Sequence, residues 1–283
     1  MTPFTIAGIQ MHVCLSDNLA EIERQLSILM FRFPWVKMAV FSELAVAGPD
    51  PGLAVQAGSE TEVRLCKLAQ RFGLWLIPGS HFERAADRIY NTSLVINPQG
   101  VIVNRYHKMF PFMPYETGVS SGTEFCVFDV PNIGRFGLSI CYDAWFPETT
   151  RTLVAMGAEV IIHPTLTGTI DRDVELANAV ATAALNQCYF VDINGLSAGG
   201  NGRSIIVDPA GKVLHQAGEI EQIIPLEIDL DHVRRQRSRG MMGGLGQPLK
   251  SFRDRAVNFS VYSPDFDHDY LNSLGPLEKA RRD

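Results

Sequence analysis

Cys141 stands where an apolar strand gives way to a helix, a place from which a sulfur can act as a nucleophile. Phe136-Gly137-Leu138-Ser139-Ile140 alternates large and small residues, as a strand packed on both faces would. Pro147 suits a first helical turn, and Gly157 closes a helix expected over Thr149 to Met156. At such a turn N–H groups without helical partners favour the thiolate. The alternative reading of Cys141 is a buried structural cysteine, the usual fate of a free thiol. An attacking cysteine also needs a base for its proton and donors for an oxyanion. Glu43, Lys108 and Glu116 are candidates because each ends or follows an apolar stretch: Met38-Ala39-Val40-Phe41, the strand from Val101, and Pro111-Phe112-Met113-Pro114-Tyr115. Taken singly, each also fits a surface charge at a strand end; taken together, strand ends gather at one sheet edge, where sites form. His107 and His163 are the histidine candidates for the base, and each also fits a satisfied core or loop histidine.

The elements that must position these residues alternate along the chain. Asp17 and Asn18 are good caps for a helix with Leu19, Ile22, Leu26 and Leu29 on one face. A second helix is expected over Glu60 to Phe72 and a strand over Leu74 to Ile77. Two hairpins turn through Asn97-Pro98-Gln99-Gly100 and Asp208-Pro209-Ala210-Gly211, both with the Pro and Gly placement of a type I turn. Strands with helices between them, plus hairpins, predict an α/β fold of packed mixed sheets with helices outside. Residues 1–230 are expected to form one domain and 231–283 a less regular arm. In that arm Arg239-Gly240-Met241-Met242-Gly243-Gly244-Leu245-Gly246 lacks the strand, helix and Lys-Ser/Thr ending of a phosphate loop, and fits a flexible or interface segment.

Composition narrows the partners. The 283 residues are 46% hydrophobic and carry a formal charge of -6, which disfavours nucleic acid and anionic membranes as partners. The basic run Arg234, Arg235, Arg237 and Arg239 is read as solvated surface or interface. No window is apolar enough for a transmembrane helix, and the start lacks the pattern of a signal peptide. The five cysteines are scattered without CxxC spacing, so neither a disulfide scaffold nor a zinc cluster is expected, and a reducing cytoplasm is the simplest location. Cys14, Cys66 and Cys188 are read as core.

In order, the Glu-Leu at Glu43, Tyr106-His107-Lys108, and Leu138 to Asp143 running on to Phe146-Pro147-Glu148 resemble the motifs of the nitrilase superfamily of carbon–nitrogen hydrolases. Gly202-Arg203-Ser204 and the second turn are also similar to the family pattern. Two positions depart from it: Ser42 replaces the usual proline, and His107 the usual arginine. The resemblance covers about residues 4–230 and implies a four-layer α-β-β-α sandwich, pairing into homodimers or larger homo-oligomers, and no cofactor or metal. It implies that Glu43 is the base, Cys141 the nucleophile, Lys108 and the Tyr142 backbone N–H the oxyanion donors, and Glu116 a residue positioning lysine and substrate. Cys141-Tyr142-Asp143 is similar to the amidase and carbamoyl-amidase branches, so a small amide or N-carbamoyl amine is the expected substrate and a nitrile the second choice. Tyr115, Trp145, Thr165 and Thr167, with Phe112 and Met113, are the candidate substrate contacts. Other classes fit less well: intact Glu43, Lys108 and Cys141 argue against a non-catalytic interaction protein on this fold, a glutaminase domain feeding a synthetase is disfavoured, and a metal-dependent hydrolase would use His163, Asp171 and Asp173, of which the two aspartates look more like helix N-terminal acids.

Overall fold

The computed structural model describes residues 1–240, 246–255 and 257–279. Two β-sheets face each other. The first has eight strands, in the order Gln222–Asp229, Pro3–Gln10, Met38–Phe41, Trp75–Ile77, Arg88–Ile96, Ser80–Ala85 and Val55–Gln56, with Ile102–His107 also paired to Arg88–Ile96. The second has six: Val213–Gln216, Ile205–Val207, Tyr189–Asn194, Val160–Thr165, Gly134–Leu138 and Cys126–Val130. Both sheets mix parallel and antiparallel pairs, with Pro3–Gln10 parallel to Met38–Phe41 and antiparallel to Gln222–Asp229.

The period-two alternation of strand side chains creates the layers. Met38 and Val40 point into the space between the sheets, where they meet Phe136, Leu138, Val160 and Ile162 of the second sheet. Ala39 and Phe41 point the other way, under helices α1 (Leu19–Arg32) and α2 (Glu60–Phe72). On the far side, α3 (Pro147–Ala155) and α4 (Asp171–Asn186) cover Ile161, Phe190 and Val207. The result is the expected α-β-β-α order. Gly8 permits the sheets to approach: a Cβ there would lie 2.2 Å from Cδ1 of Ile193 on the opposite sheet.

Several local expectations are corrected. Asp17 caps α1 by accepting from Leu19 N at 2.8 Å, but Asn18 turns away and pins the preceding loop through Cys14 N and O. Cys14 is exposed rather than core, because its loop lies outside both sheets; Cys66 is half-buried. The arginine run is only partly solvated surface. Arg237 reaches inward to donate to the carbonyls of Gln187 and Ala158, and Arg234 pairs with Glu159. These contacts belong to α5 (Leu230–Arg239), whose Leu230 and Val233 join the inter-sheet core, so the chain beyond residue 230 begins as a packed helix. The Gly/Met-rich stretch at 241–245 lies outside the described residues. Further on, the arm lies against its own α3 and α4, with Phe252 under Arg151 and Tyr262 donating to Glu148. Among the described residues no helix is long and apolar enough to cross a membrane.

Candidate active site

The ends of the inner strands bring Glu43, Lys108, Glu116 and Cys141 together. Glu43 follows Met38–Phe41, and its N–H donates to the Thr165 carbonyl at 3.2 Å, tying the end of one sheet to the other. The turn is tight: Leu44 has φ 52, and a Cβ on Gly79 would come within 1.7 Å of the Ser42 carbonyl oxygen. Lys108 continues Ile102–His107, held by its N–H on the Asn91 carbonyl at 2.8 Å.

The Lys108 ammonium is 1% exposed and donates to Glu43 Oε1 at 2.8 Å and to Glu116 Oε2 at 2.7 Å. Burial pulls its pKa down, but the charges of Glu43, Cys141 and Glu116 outweigh this and hold it well above its ordinary value. Glu116 also accepts from Phe112 N at 2.5 Å, so its own loop folds over it. That loop turns Glu116 inward and leaves Tyr115 half exposed. Asn91, which sequence reasoning passed over, donates to Glu43 Oε1 at 2.8 Å and to Glu116 Oε1 at 3.2 Å. Its signal was a lone amide at the start of the apolar run Ser93 to Ile96.

Cys141 opens a short 3₁₀ turn, Cys141–Trp145, with φ 47. That left-handed backbone costs a non-glycine residue about 1–2 kcal/mol and lifts the side chain off the strand line. Its thiol lies beside the Glu43 carboxylate, close enough for each to shift the other's pKa. Burial, and then the Glu43 charge, push the thiol pKa well up despite Lys108. Burial and the neighbouring carboxylate thus oppose the thiolate that the N–H groups of the turn favour. Burial also raises the pKa of Glu43. The shifts favour a proton held on sulfur and a carboxylate more basic than usual beside it.

The nucleophile turn is anchored by Asp143, another residue the sequence did not mark out. Its carboxylate is fully buried and accepts from Ile140 N at 2.8 Å, Phe110 N at 2.9 Å and the Tyr106 hydroxyl at 2.7 Å. Tyr106 and Phe110 flank Lys108, so one carboxylate sets the nucleophile's turn against the lysine's strand. Asp143→Ala is expected to destabilise the fold by about 3 kcal/mol, because two buried donors and one partly buried donor lose their acceptor at about 1–3 kcal/mol for each buried one. Denaturant midpoints check this; a loss below 1 kcal/mol would show that the three donors find other acceptors.

Neither histidine candidate hydrogen-bonds the Cys141 thiol. His163 is buried, shares a hydrogen bond with Ser139 Oγ at 2.8 Å, also bonds the Cys141 main-chain carbonyl, and has its pKa pulled down by burial to about 4. His107 points to the other face of its strand, onto Thr92 Oγ1 at 2.9 Å. His163, Asp171 and Asp173 do not converge. Asp171 and Asp173 sit in the first turn of α4, and Asp173 pairs with Arg203. Among the described residues, the group of carboxylates and histidine close enough to share an ion is Glu62, His81 and Glu83, and Arg105 already bridges its two glutamates.

A cleft opens at the sulfur in two lobes. One, of about 250 Å³, is lined by Glu43, Lys108 and Glu116; the other, of about 290 Å³, by Tyr142, Trp145, Thr167 and Glu175; Cys141, Phe112 and Tyr115 line both. Thr167 Oγ1 lies 3.8 Å from Cys141 Sγ. Thr165, at the end of the strand Val160–Thr165, is buried behind Thr167 and lines neither lobe, but its hydroxyl reaches the Cys141 sulfur from beneath. The Tyr142 N–H belongs to the first turn of the 3₁₀ segment, where backbone donors have no acceptor within the helix.

This fold and this cluster at the strand ends define a hydrolase-type site in a two-sheet sandwich. A family model described as carbon-nitrogen hydrolase matches residues 6–238, and the chain belongs to that family. It is 29% identical over 239 residues to a 2-oxoglutaramate amidase of Bacillus subtilis (strain 168), covering 80% of this chain and 91% of the relative. It is 30% identical over 213 residues to an N-carbamoylputrescine amidase of Solanum tuberosum, covering 64% and 68%. Among solved structures it is similar to Saccharomyces cerevisiae Nit3, a member of branch 10 of the nitrilase superfamily, with TM-score 0.78, 27% identity and coverage of 85% and 95%.

Proposed function

We propose that the protein hydrolyses the carbon–nitrogen bond of a small amide or N-carbamoyl amine through a thioester on Cys141. The observation that carries this is a thiol at the cleft wall beside a buried carboxylate that also holds a buried ammonium. Glu43 takes the thiol proton as sulfur attacks the carbonyl carbon. Lys108 and the Tyr142 N–H receive the oxyanion, Glu43 returns the proton to the leaving ammonia or amine, and the same carboxylate then activates water to release the acid. Glu116, sharing Lys108 with Glu43, keeps the ammonium directed at the oxyanion position. Phe112, Tyr115, Trp145 and Thr167 contact the substrate. Relatives named for 2-oxoglutaramate and N-carbamoylputrescine support both substrate classes.

Assembly into at least a homodimer and residence in the cytoplasm belong to the same reading. Free cysteines throughout support the second, and light scattering tests the first. The deciding experiment supplies short amides, N-carbamoyl amines and nitriles while ammonia release and intact mass are recorded together. Ammonia from amides or carbamoyl compounds with a transient adduct on Cys141 is expected. Turnover of nitriles alone would move the protein to a nitrilase role, and silence with an unreactive Cys141 would leave a non-catalytic relative.

A further inference from the structure

The second lobe of the cleft carries a charge that the hydrolytic cycle does not use. Glu175 projects into it from the first turns of α4, with its side chain 11% exposed. Its Oε1 accepts from Thr167 Oγ1 at 3.0 Å, and that same hydroxyl lies 3.8 Å from the Cys141 sulfur. Glu175 is therefore one hydroxyl away from the point of attack, on the side opposite Glu43 and Lys108.

Its charge is only partly answered. Arg172 donates to Glu175 Oε2 at 3.1 Å, but the same guanidinium is gripped by Asp192 through Nη2 to Oδ1 at 2.9 Å and Nη1 to Oδ2 at 3.2 Å. One fully buried cation thus serves two carboxylates, which leaves a net negative charge at the cleft wall. The other lobe has the same imbalance, with Lys108 shared by Glu43 and Glu116. Lys108 is the one cation among the described residues lining the two lobes, against Glu43, Glu116, Asp171 and Glu175. Lys279 stays outside them, exposed, with its ammonium 5.5 Å from the centre of the Tyr115 ring. Between the sulfur and Glu175, Tyr142 and Trp145 supply aromatic faces, which suit both an alkyl chain and a cation above a ring.

We infer that Glu175 is the specificity residue of this cleft and selects amides or carbamoyl amines whose far end carries an ammonium group. The inference rests on the amidase reading of the same site. A substrate ammonium would complete the two-to-two pairing with Arg172, Asp192 and Glu175. A substrate carboxylate would meet Glu175 with no cation to spare.

A matched set of five-carbon amides tests this: 5-aminopentanamide, pentanamide and glutaric acid monoamide, assayed by ammonia release with wild-type protein, Glu175→Gln and Glu175→Asp. A hydrogen bond to a charged group is worth about 1.5–3 kcal/mol, which is a preference in kcat/KM of about 10- to 100-fold for the ammonium amide over pentanamide. The monoamide is expected to be the poorest. In Glu175→Gln the ammonium preference should fall to within about threefold, chiefly through KM, whereas Glu175→Asp should keep most of it. A purely structural role would lower all three substrates alike in Glu175→Gln and overturn the inference. So would a wild-type preference for pentanamide or the monoamide, which needs no variant to fold. Failure on all three amides without an acyl adduct on Cys141 would instead remove the amidase reading itself.

Discussion

Cys141→Ala is expected to lose turnover by at least about 10⁴-fold and to show no acyl adduct by intact mass, while keeping its fold. The size follows from the lack of any substitute nucleophile at that point. Of the hydroxyls near the sulfur, Thr167 at 3.8 Å donates to Glu175 rather than to the Glu43 base, and Thr165 is buried behind it against Thr167. Folding should survive because the sulfur's partners are few. Alanine keeps the Cβ, and the φ of 47 costs alanine about what it costs cysteine. The turn itself is held by Asp143 and by His163 on the main-chain carbonyl, and neither bond involves the side chain at 141. The thermal midpoint should therefore stay within a few degrees of wild type. Turnover retained in the alanine variant, or an adduct still present, would sink the nucleophile assignment. A fold lost together with activity would return Cys141 to the structural role that a buried thiol usually has.

Much of the architecture was legible because it rests on periodicity. Helix α2 runs over Glu60–Phe72, the residues its apolar spacing marked, and both Pro/Gly turns close hairpins. The placing of charges against apolar strands also marked Glu43 and Lys108, since a strand end buried between two sheets is where an unpaired charge would be costly. What the sequence did not disclose was pairing across the gap. Asp143 looks like one more polar residue in a turn until Tyr106 and Phe110, from the opposite sheet, close on it. Asn91 likewise gains its role from distant partners, Glu43 and Glu116. The thiol's raised pKa has the same origin. The local turn favours a thiolate, but burial between the sheets, and then Glu43, brought in from nearly a hundred residues earlier in the chain, oppose it.

That opposition gives Glu43→Gln two signatures. Loss of a general base typically costs about 10²–10⁴-fold, and here the larger end is expected, because the carboxylate serves sulfur, leaving group and water in turn. Glutamine should disturb the site little, since Asn91 and Lys108 both donate to the single oxygen Oε1, which an amide retains. The second signature is in the pH profile. In the wild type, kcat/KM should fall as acid protonates Glu43, and should do so above the ordinary carboxylate range because burial raises that pKa. In Glu43→Gln this acid limb should vanish. The thiol must then lose its proton to solvent, and Lys108 is left with Glu116 as its one carboxylate partner at the site. With the Glu43 charge gone, the thiol pKa should drop relative to wild type, but burial still holds it up, so residual activity should climb with pH through the alkaline range. A variant within about tenfold of wild type, or one that keeps the acid limb, would reassign the base to another group. Asn91→Ala provides the control that separates charge from position: it leaves the carboxylate in place, so the acid limb should persist even if the rate falls.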